Sequence, residues 1–254
     1  AAAISLKKKK SPSIFRNHDQ PSFEKLEFLS KFLSAIGIPF SKNQISSPIS
    51  FNQILREFKN TPNYEIINQM ILRTQSQAEY TNKNVGHFGL SLREYCHFTS
   101  PIRRYSDLLV HRAIVSELNP NNNQKFEPKE DLNEIAKHIS MTERRSAKAE
   151  RSSIERFLAK YMSSKIGTSF TGRINGATRS GLFVTILETG AEGLIPMNSL
   201  PRDFYMLDQS GLNLIGKKQK NKFSLGQALQ VRLEKATPLT GGLILSVDGI
   251  YSKN

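Results

Sequence analysis

Cysteine is nearly missing from this sequence: Cys96 stands alone among 254 residues. No internal disulfide can form, which fits a reducing compartment and leads us to expect a cytoplasmic protein. Long apolar runs are missing as well. No uninterrupted stretch approaches the ~18–20 residues needed to span a bilayer, so no membrane partner is expected. Ala1-Ala2-Ala3-Ile4-Ser5-Leu6-Lys7 shows neither an initiator Met nor the charge-then-apolar order of a signal peptide. It reads as sequence entered partway along a longer chain. Acidic charge is scarce: 22 Asp and Glu face 36 Lys and Arg, a formal net charge of +14. That balance suits a polyanionic partner such as nucleic acid, with general solubility as the plainer explanation. His18, His87, His97 and His138 are widely separated and make no zinc-type cluster with Cys96, which is expected to be a buried thiol.

Hydrophobic residues make up 38%, enough for a sizeable core. Residues 1–166 carry 26 Lys/Arg against 16 Asp/Glu, and residues 167–254 carry 10 against 6, so both parts are basic. Their periodicities differ. Phe23, Leu26, Leu29, Phe32, Leu33 and Ile36 recur at helical spacing before Gly37, a stop signal. A second stripe is Phe51, Ile54, Leu55 and Phe58. A third follows Asn63 with Ile66, Ile67, Met70 and Ile71. Thr99-Ser100-Pro101 has the cap-then-proline order of a helix start. The capping-box spacing of Ser140 and Glu143 predicts two helices between Leu132 and Met162. After Gly167 the pattern turns to short β runs: Ser169–Ile174, Leu182–Ile186, Leu194–Pro196, Ala228–Leu233 and Leu243–Val247. Five short strands suit a small Greek-key barrel of the OB type. Pro201–Ser224 is then a long connection before the fourth strand, and its Lys217–Lys222 run reads as a solvated surface.

The segment from His97 to Arg112, HFTSPIRRYSDLLVHR, is the most informative. A helix N-terminus favours anions, yet two arginines fall where this helix is predicted to begin. Cations placed there make sense if a phosphate docks among them. Arg103, Asp107 and His111 are spaced four apart and share one helical face. Asp107 would orient Arg103; an ordinary surface ion pair is the competing reading.

This run resembles the signature of the catalytic RNB domain of the RNase II/RNase R family of exoribonucleases. SPSIFRNHDQP at Ser11–Pro21, QSQAEYTNKNVGHFGLSL within Leu72–Leu92, and TERRSAKAER at Thr142–Arg151 resemble the same family in the same order. The resemblance covers essentially the whole chain. It implies processive 3′→5′ hydrolysis of RNA to nucleoside 5′-monophosphates, with Mg²⁺ held by clustered aspartates. It also implies that Arg103, or failing it Arg104, stabilises the scissile phosphate. Tyr105, Asp107, His111 and Arg112 would then orient that arginine or line the RNA channel.

Residues 1–166 contain only Asp19, Asp107 and Asp131, too scattered for such a metal cluster. No metal ligand is therefore assigned. The Mg²⁺ ligands are expected upstream, and this chain alone is expected to be inactive.

GTSFTGRI at 167–174, RSGLFV at 179–184 and EGLIP at 192–196 resemble the S1 domain. Such barrels stack bases on exposed aromatics beside a basic groove. Phe183 and Arg179 are the first candidates for single-stranded RNA contact, followed by Phe170, Arg173 and Arg232. The expected fold is α+β: a mainly helical C-terminal portion of an RNB domain over 1–166, then a five-stranded OB-type barrel over 167–250. A monomer is expected. A catalytically inactive stand-alone RNA-binding protein is the alternative in another class, and a split enzyme completed by a second chain is a third.

Overall fold

In the computed structural model, residues 1–38, 47–119, 126, 128 and 131–250 are described. The chain divides into two compact units, Ala1–Ser146 and Ala147–Asn254. The first is helical, with α1 (Ala2–Lys8), α2 (Phe23–Ala35), α3 (Pro48–Glu57), α4 (Tyr64–Thr74), α5 (Tyr105–Leu118) and the start of α6 (Leu132–Met162). Two short antiparallel strands, β1 (Phe15–Asn17) and β2 (Glu79–Thr81), tie distant stretches together through Arg16 opposite Tyr80.

The helical stripes read from the sequence become buried faces. Leu29, Phe32 and Leu33 of α2, Phe51 and Ile54 of α3, and Ile66, Ile67, Met70 and Ile71 of α4 are all buried. Gly37 ends α2 as expected, with φ of 81°. The Gly37 N–H donates to Ser34 O at 3.1 Å and the Ile38 N–H to Leu33 O at 2.8 Å, the paired bonds of a Schellman stop. Asn63 does occupy the N-cap position of α4, although its side chain makes no capping bond.

Two sequence expectations fail here. The stretch Leu132–Met162 is a single helix of 31 residues, not two. Ser140 does not cap a second helix: it is buried, and its Oγ accepts the Tyr80 N–H at 2.9 Å, a pairing across 60 residues that local spacing cannot reveal. Nor does a helix begin at Thr99-Ser100-Pro101. Those residues form a turn, and α5 starts at Tyr105 with Arg104 at its N-cap position.

The second unit is built on a closed barrel, whose strands are β3 (Ser169–Thr178), β4 (Gly181–Ile186), β5 (Glu192–Pro196), β9 (Ala228–Thr237) and β10 (Gly242–Ile250). Around the barrel the order is β10-β5-β4-β3-β9, with β5 and β10 parallel and every other pair antiparallel. Alternation fills the interior with Ile174, Leu182, Val184, Ile186, Ile195, Leu229, Val231, Leu233 and Leu245, joined by Ala159 and Met162 from the end of α6. The Pro201–Ser224 connection holds a small antiparallel sheet of its own: β6 (Tyr205–Leu207), β7 (Asn213–Gly216) and β8 (Lys222–Ser224). Among the described residues, no helix is long and apolar enough to cross a membrane.

Candidate nucleic-acid interface

The first surface centres on the turn before α5. Asp107 lies in the first turn of that helix with its side chain fully buried. It accepts the Ser100 N–H at 2.8 Å, Arg104 Nη2 at 2.8 Å and the Ser106 hydroxyl at 3.1 Å. Burial pushes the carboxyl pKa up, but these donors, Arg104 foremost, hold it below the ordinary carboxylate value. Asp107 is therefore an anion whose oxygens already serve the turn and the guanidinium.

This arrangement corrects the sequence reading. Asp107 holds Arg104 at i−3, not Arg103 at i−4. Arg104 is consequently half-buried, whereas Arg103 precedes the helix with its side chain exposed. His111 does not complete a face with them. Its Nε2 donates to Phe98 O at 2.7 Å, and its ring stacks on Phe98 with centroids 4.4 Å apart, so it fixes the strand of chain entering the turn. Tyr105 and Arg112 are exposed.

Several charged and aromatic groups nearby escaped the sequence reading, because they come from β1, β2 and α6. Arg16 pairs with Glu143 at 2.6 Å and lies 4.6 Å from the Tyr80 ring centroid. The Tyr80 hydroxyl hydrogen-bonds His97 Nδ1 at 2.8 Å. Burial, and then the charges of Arg104 and Arg16, push the His97 pKa down to about 4, so the ring is neutral at pH 7. Burial raises the Tyr80 pKa, which keeps its proton in place. The strand register Arg16↔Tyr80 brings these two residues together, and no local motif encodes it.

His18 and His87, far apart in sequence, sit with ring centroids 5.0 Å apart. His18 Nε2 donates to Ser76 O at 2.7 Å, and its Nδ1 accepts the Gly89 N–H at 2.9 Å. No group of three His, Cys, Asp or Glu able to hold a metal ion occurs among the described residues. Cys96 is buried, as expected, and burial lifts its thiol pKa to about 11. The residues described here do not fit a Mg²⁺ site, since Asp107 is already committed and no other carboxylate joins it.

The second surface is the outside of the barrel. Phe183 on β4 points outward at 42% exposure, opposite Gly176 on β3 and Leu194 on β5. With no side chain at Gly176, one flank of the ring stays open. A Cβ there would sit 3.6 Å from that of Phe183. Arg179 is exposed in the β3–β4 turn. Arg173 also faces outward, opposite Thr185, one same-face step (about 7 Å) along the strand from Phe183. Between them Asn175 occupies a bulge, donating to Thr185 Oγ1 and Glu192 Oε1, both at 2.8 Å.

Phe170 departs from expectation, and Arg232 stands apart from the other candidates. Phe170 is 4% exposed and belongs to the barrel core, opposite Val231 and on the same side as Ile174. It has no ring face to offer a base. Strand alternation alone could not say which side it takes. Arg232 is exposed but lies opposite Ser169, at the far end of β3 from Arg179, about 30 Å along the strand. It therefore does not share a platform with Phe183.

Comparison with known proteins agrees with both units. Residues 1–120 match the RNB domain, and residues 163–248 match the S1 RNA binding domain. Ribonuclease R of Buchnera aphidicola subsp. Schizaphis graminum is 40% identical over 236 residues, covering 92% of this chain and 32% of that protein. The apo form of Mycoplasma genitalium RNase R matches with a TM-score of 0.88 and 29% identity, over 97% of this chain and 39% of the other. The same protein in complex with ribose methylated single-stranded RNA gives the same figures. The chain thus spans between about 32% and 39% of the length of these relatives. It carries a portion of an RNB domain followed by an S1 domain, and over nearly all its residues it is similar to part of ribonuclease R.

Proposed function

We propose that this chain is the RNA-gripping part of a processive 3′→5′ exoribonuclease that releases nucleoside 5′-monophosphates, and that by itself it binds RNA without cutting it. The observation that carries the reading is the Asp107-anchored turn, which immobilises Arg104 and leaves Arg103 exposed at the start of α5. In this reading the Arg103 guanidinium meets a phosphate oxygen of the RNA where charge builds up during cleavage. Arg104 acts through position: its pairing with Asp107 fixes the turn that presents Arg103. Donors already in place need no reorganisation as the phosphate becomes more anionic.

On the barrel, Phe183 stacks on a base while Arg179 and Arg173 contact the flanking backbone. Mg²⁺ is proposed for the longer protein only, with ligands this chain does not supply, and no step is assigned to it here. Residues 1–166 and 167–250 are the proposed functional divisions, in a monomeric protein.

The test is Arg103→Ala and Arg104→Ala in the longer protein, assayed on a 3′-tailed RNA. Arg103→Ala should lower kcat about 10²–10³-fold with folding intact. Arg104→Ala should lower both kcat and thermal stability. Unchanged kcat in Arg103→Ala would remove the arginine from the mechanism. The second reading, an RNA-binding protein with no nuclease activity, is favoured by the lack of a three-group metal cluster among the described residues. It predicts no monophosphate release from the longer protein either.

A further inference from the structure

The small sheet inserted between the third and fourth barrel strands ends in a lysine-rich tip. Residues 214–224 contain four lysines and no Asp or Glu. Lys217, Lys218, Lys220 and Lys222 are all exposed, yet the sheet is no loose loop. Tyr205, Leu214 and Phe223 are buried within the barrel core cluster, which fixes its base.

The tip itself is held by one carboxylate. Asp203 Oδ1 accepts the N–H groups of Phe204 at 2.6 Å and Lys218 at 2.9 Å, and Oδ2 accepts that of Gln219 at 2.7 Å. Burial pushes the Asp203 pKa up, but these backbone bonds hold it below its ordinary value. Gly216 is required for this approach, since a Cβ there would lie 2.3 Å from Asp203 Oδ2. The Lys217 N–H donates to Phe204 O at 2.9 Å, and the Gly216 N–H to Asn221 O at 2.8 Å, closing the turn.

Two residues make little sense as mere structure. Lys220 has φ of 59°, a left-handed conformation in which glycine is comfortable and a lysine is not. Phe204 is 63% exposed, with the Lys217 ammonium 5.4 Å from its ring centroid. An exposed aromatic flanked by lysines on a pre-shaped backbone is the combination that takes a base and its neighbouring phosphates.

We propose that the Lys217–Lys222 tip, with Phe204, is a second contact for single-stranded RNA on this domain, separate from the Phe183 face. It rests on the RNA-binding reading above. The lysines meet successive phosphates as point charges, and Phe204 offers its ring to a base.

The experiment measures binding of the 254-residue chain to a labelled uridine oligomer of about 20 nucleotides across a salt series. Quadruple Lys→Gln at 217, 218, 220 and 222 should reduce the log–log salt slope by about 1.4–2.8, the value for two to four lost phosphate contacts on a single strand. Asp203→Ala separates a built site from diffuse attraction. It raises the net charge by one, so diffuse attraction predicts equal or tighter binding, whereas a shaped tip predicts binding at least about 3-fold weaker. Lys220→Gly suits the left-handed backbone and should lower the slope by about 0.7 on its own, which decides the matter if Asp203→Ala melts early. An unchanged slope in the quadruple variant, or Asp203→Ala binding as tightly as the parent chain, would overturn the site while leaving the RNA reading intact. A parent chain that fails to bind the oligomer overturns both.

Discussion

Asp107 shows how one side chain sets the character of the first surface. Its carboxylate is buried and accepts three donors, so removing it strands the Ser100 N–H and a half-buried Arg104 guanidinium. Asp107→Ala should destabilise the first unit by about 3 kcal/mol in urea denaturation, at the lower end for breaking a buried pair because Arg104 retains some solvent. The pH dependence has a definite sign. The folded carboxyl titrates below the ordinary 3.8, so its contribution is complete above that value and is lost as pH falls through the lower folded value. Asp107→Asn should therefore remove part of the stability loss that the parent chain shows below about pH 4. An acid profile identical in parent and variant would contradict the assignment. The spacing of charges revealed that an Arg–Asp pair exists here but not which arginine it uses. That depends on where α5 starts, at Tyr105, after a turn in which Asp107 accepts the Ser100 N–H.

Among elements, β3 and β4 carry two phenylalanines, Phe170 ranked behind Phe183 from the sequence, that the barrel separates. Phe170 faces the core and Phe183 faces solvent. Phe183→Ala should weaken binding to single-stranded RNA by about 1–3 kcal/mol with little change in melting temperature. Phe170→Ala should do the reverse, destabilising the barrel by about 3–5 kcal/mol. Equal effects of both on melting would contradict the assigned faces. The end of α2 tests backbone geometry alone. Nothing lies within 4 Å of a Cβ at Gly37, so Gly37→Ala should cost only the left-handed strain, about 1–2 kcal/mol, in thermal denaturation. These elements were legible wherever the signal is local: stripes at helical spacing, a glycine stop, five β runs. They were illegible where a partner lies far along the chain. Ser140 looked like a cap because its acceptor role toward Tyr80 spans 60 residues. The sheet of β6, β7 and β8 hid in a stretch read as a connection, since its strands are only three or four residues long.

At the scale of the whole molecule, a net charge of +14 is spread over both units, each with its own exposed arginines. The family was readable because its signature run is long and local. The cluster of Arg16, Tyr80, His97 and Glu143 was not, because β1, β2, the segment before α5 and α6 each supply one member. The proposal that this chain binds RNA without cutting it rests on its carboxylate supply: Asp19, Asp107 and Asp131 are its only aspartates before residue 167, and Asp107 is occupied. The chain should therefore hold RNA with a steep dependence on salt and leave it uncut. The most direct test incubates the 254-residue chain with a 3′-tailed RNA and Mg²⁺, following binding and nucleoside 5′-monophosphate release in the same samples. Salt-sensitive binding without monophosphate release is the predicted result. Sustained, Mg²⁺-dependent release by this chain alone would contradict it.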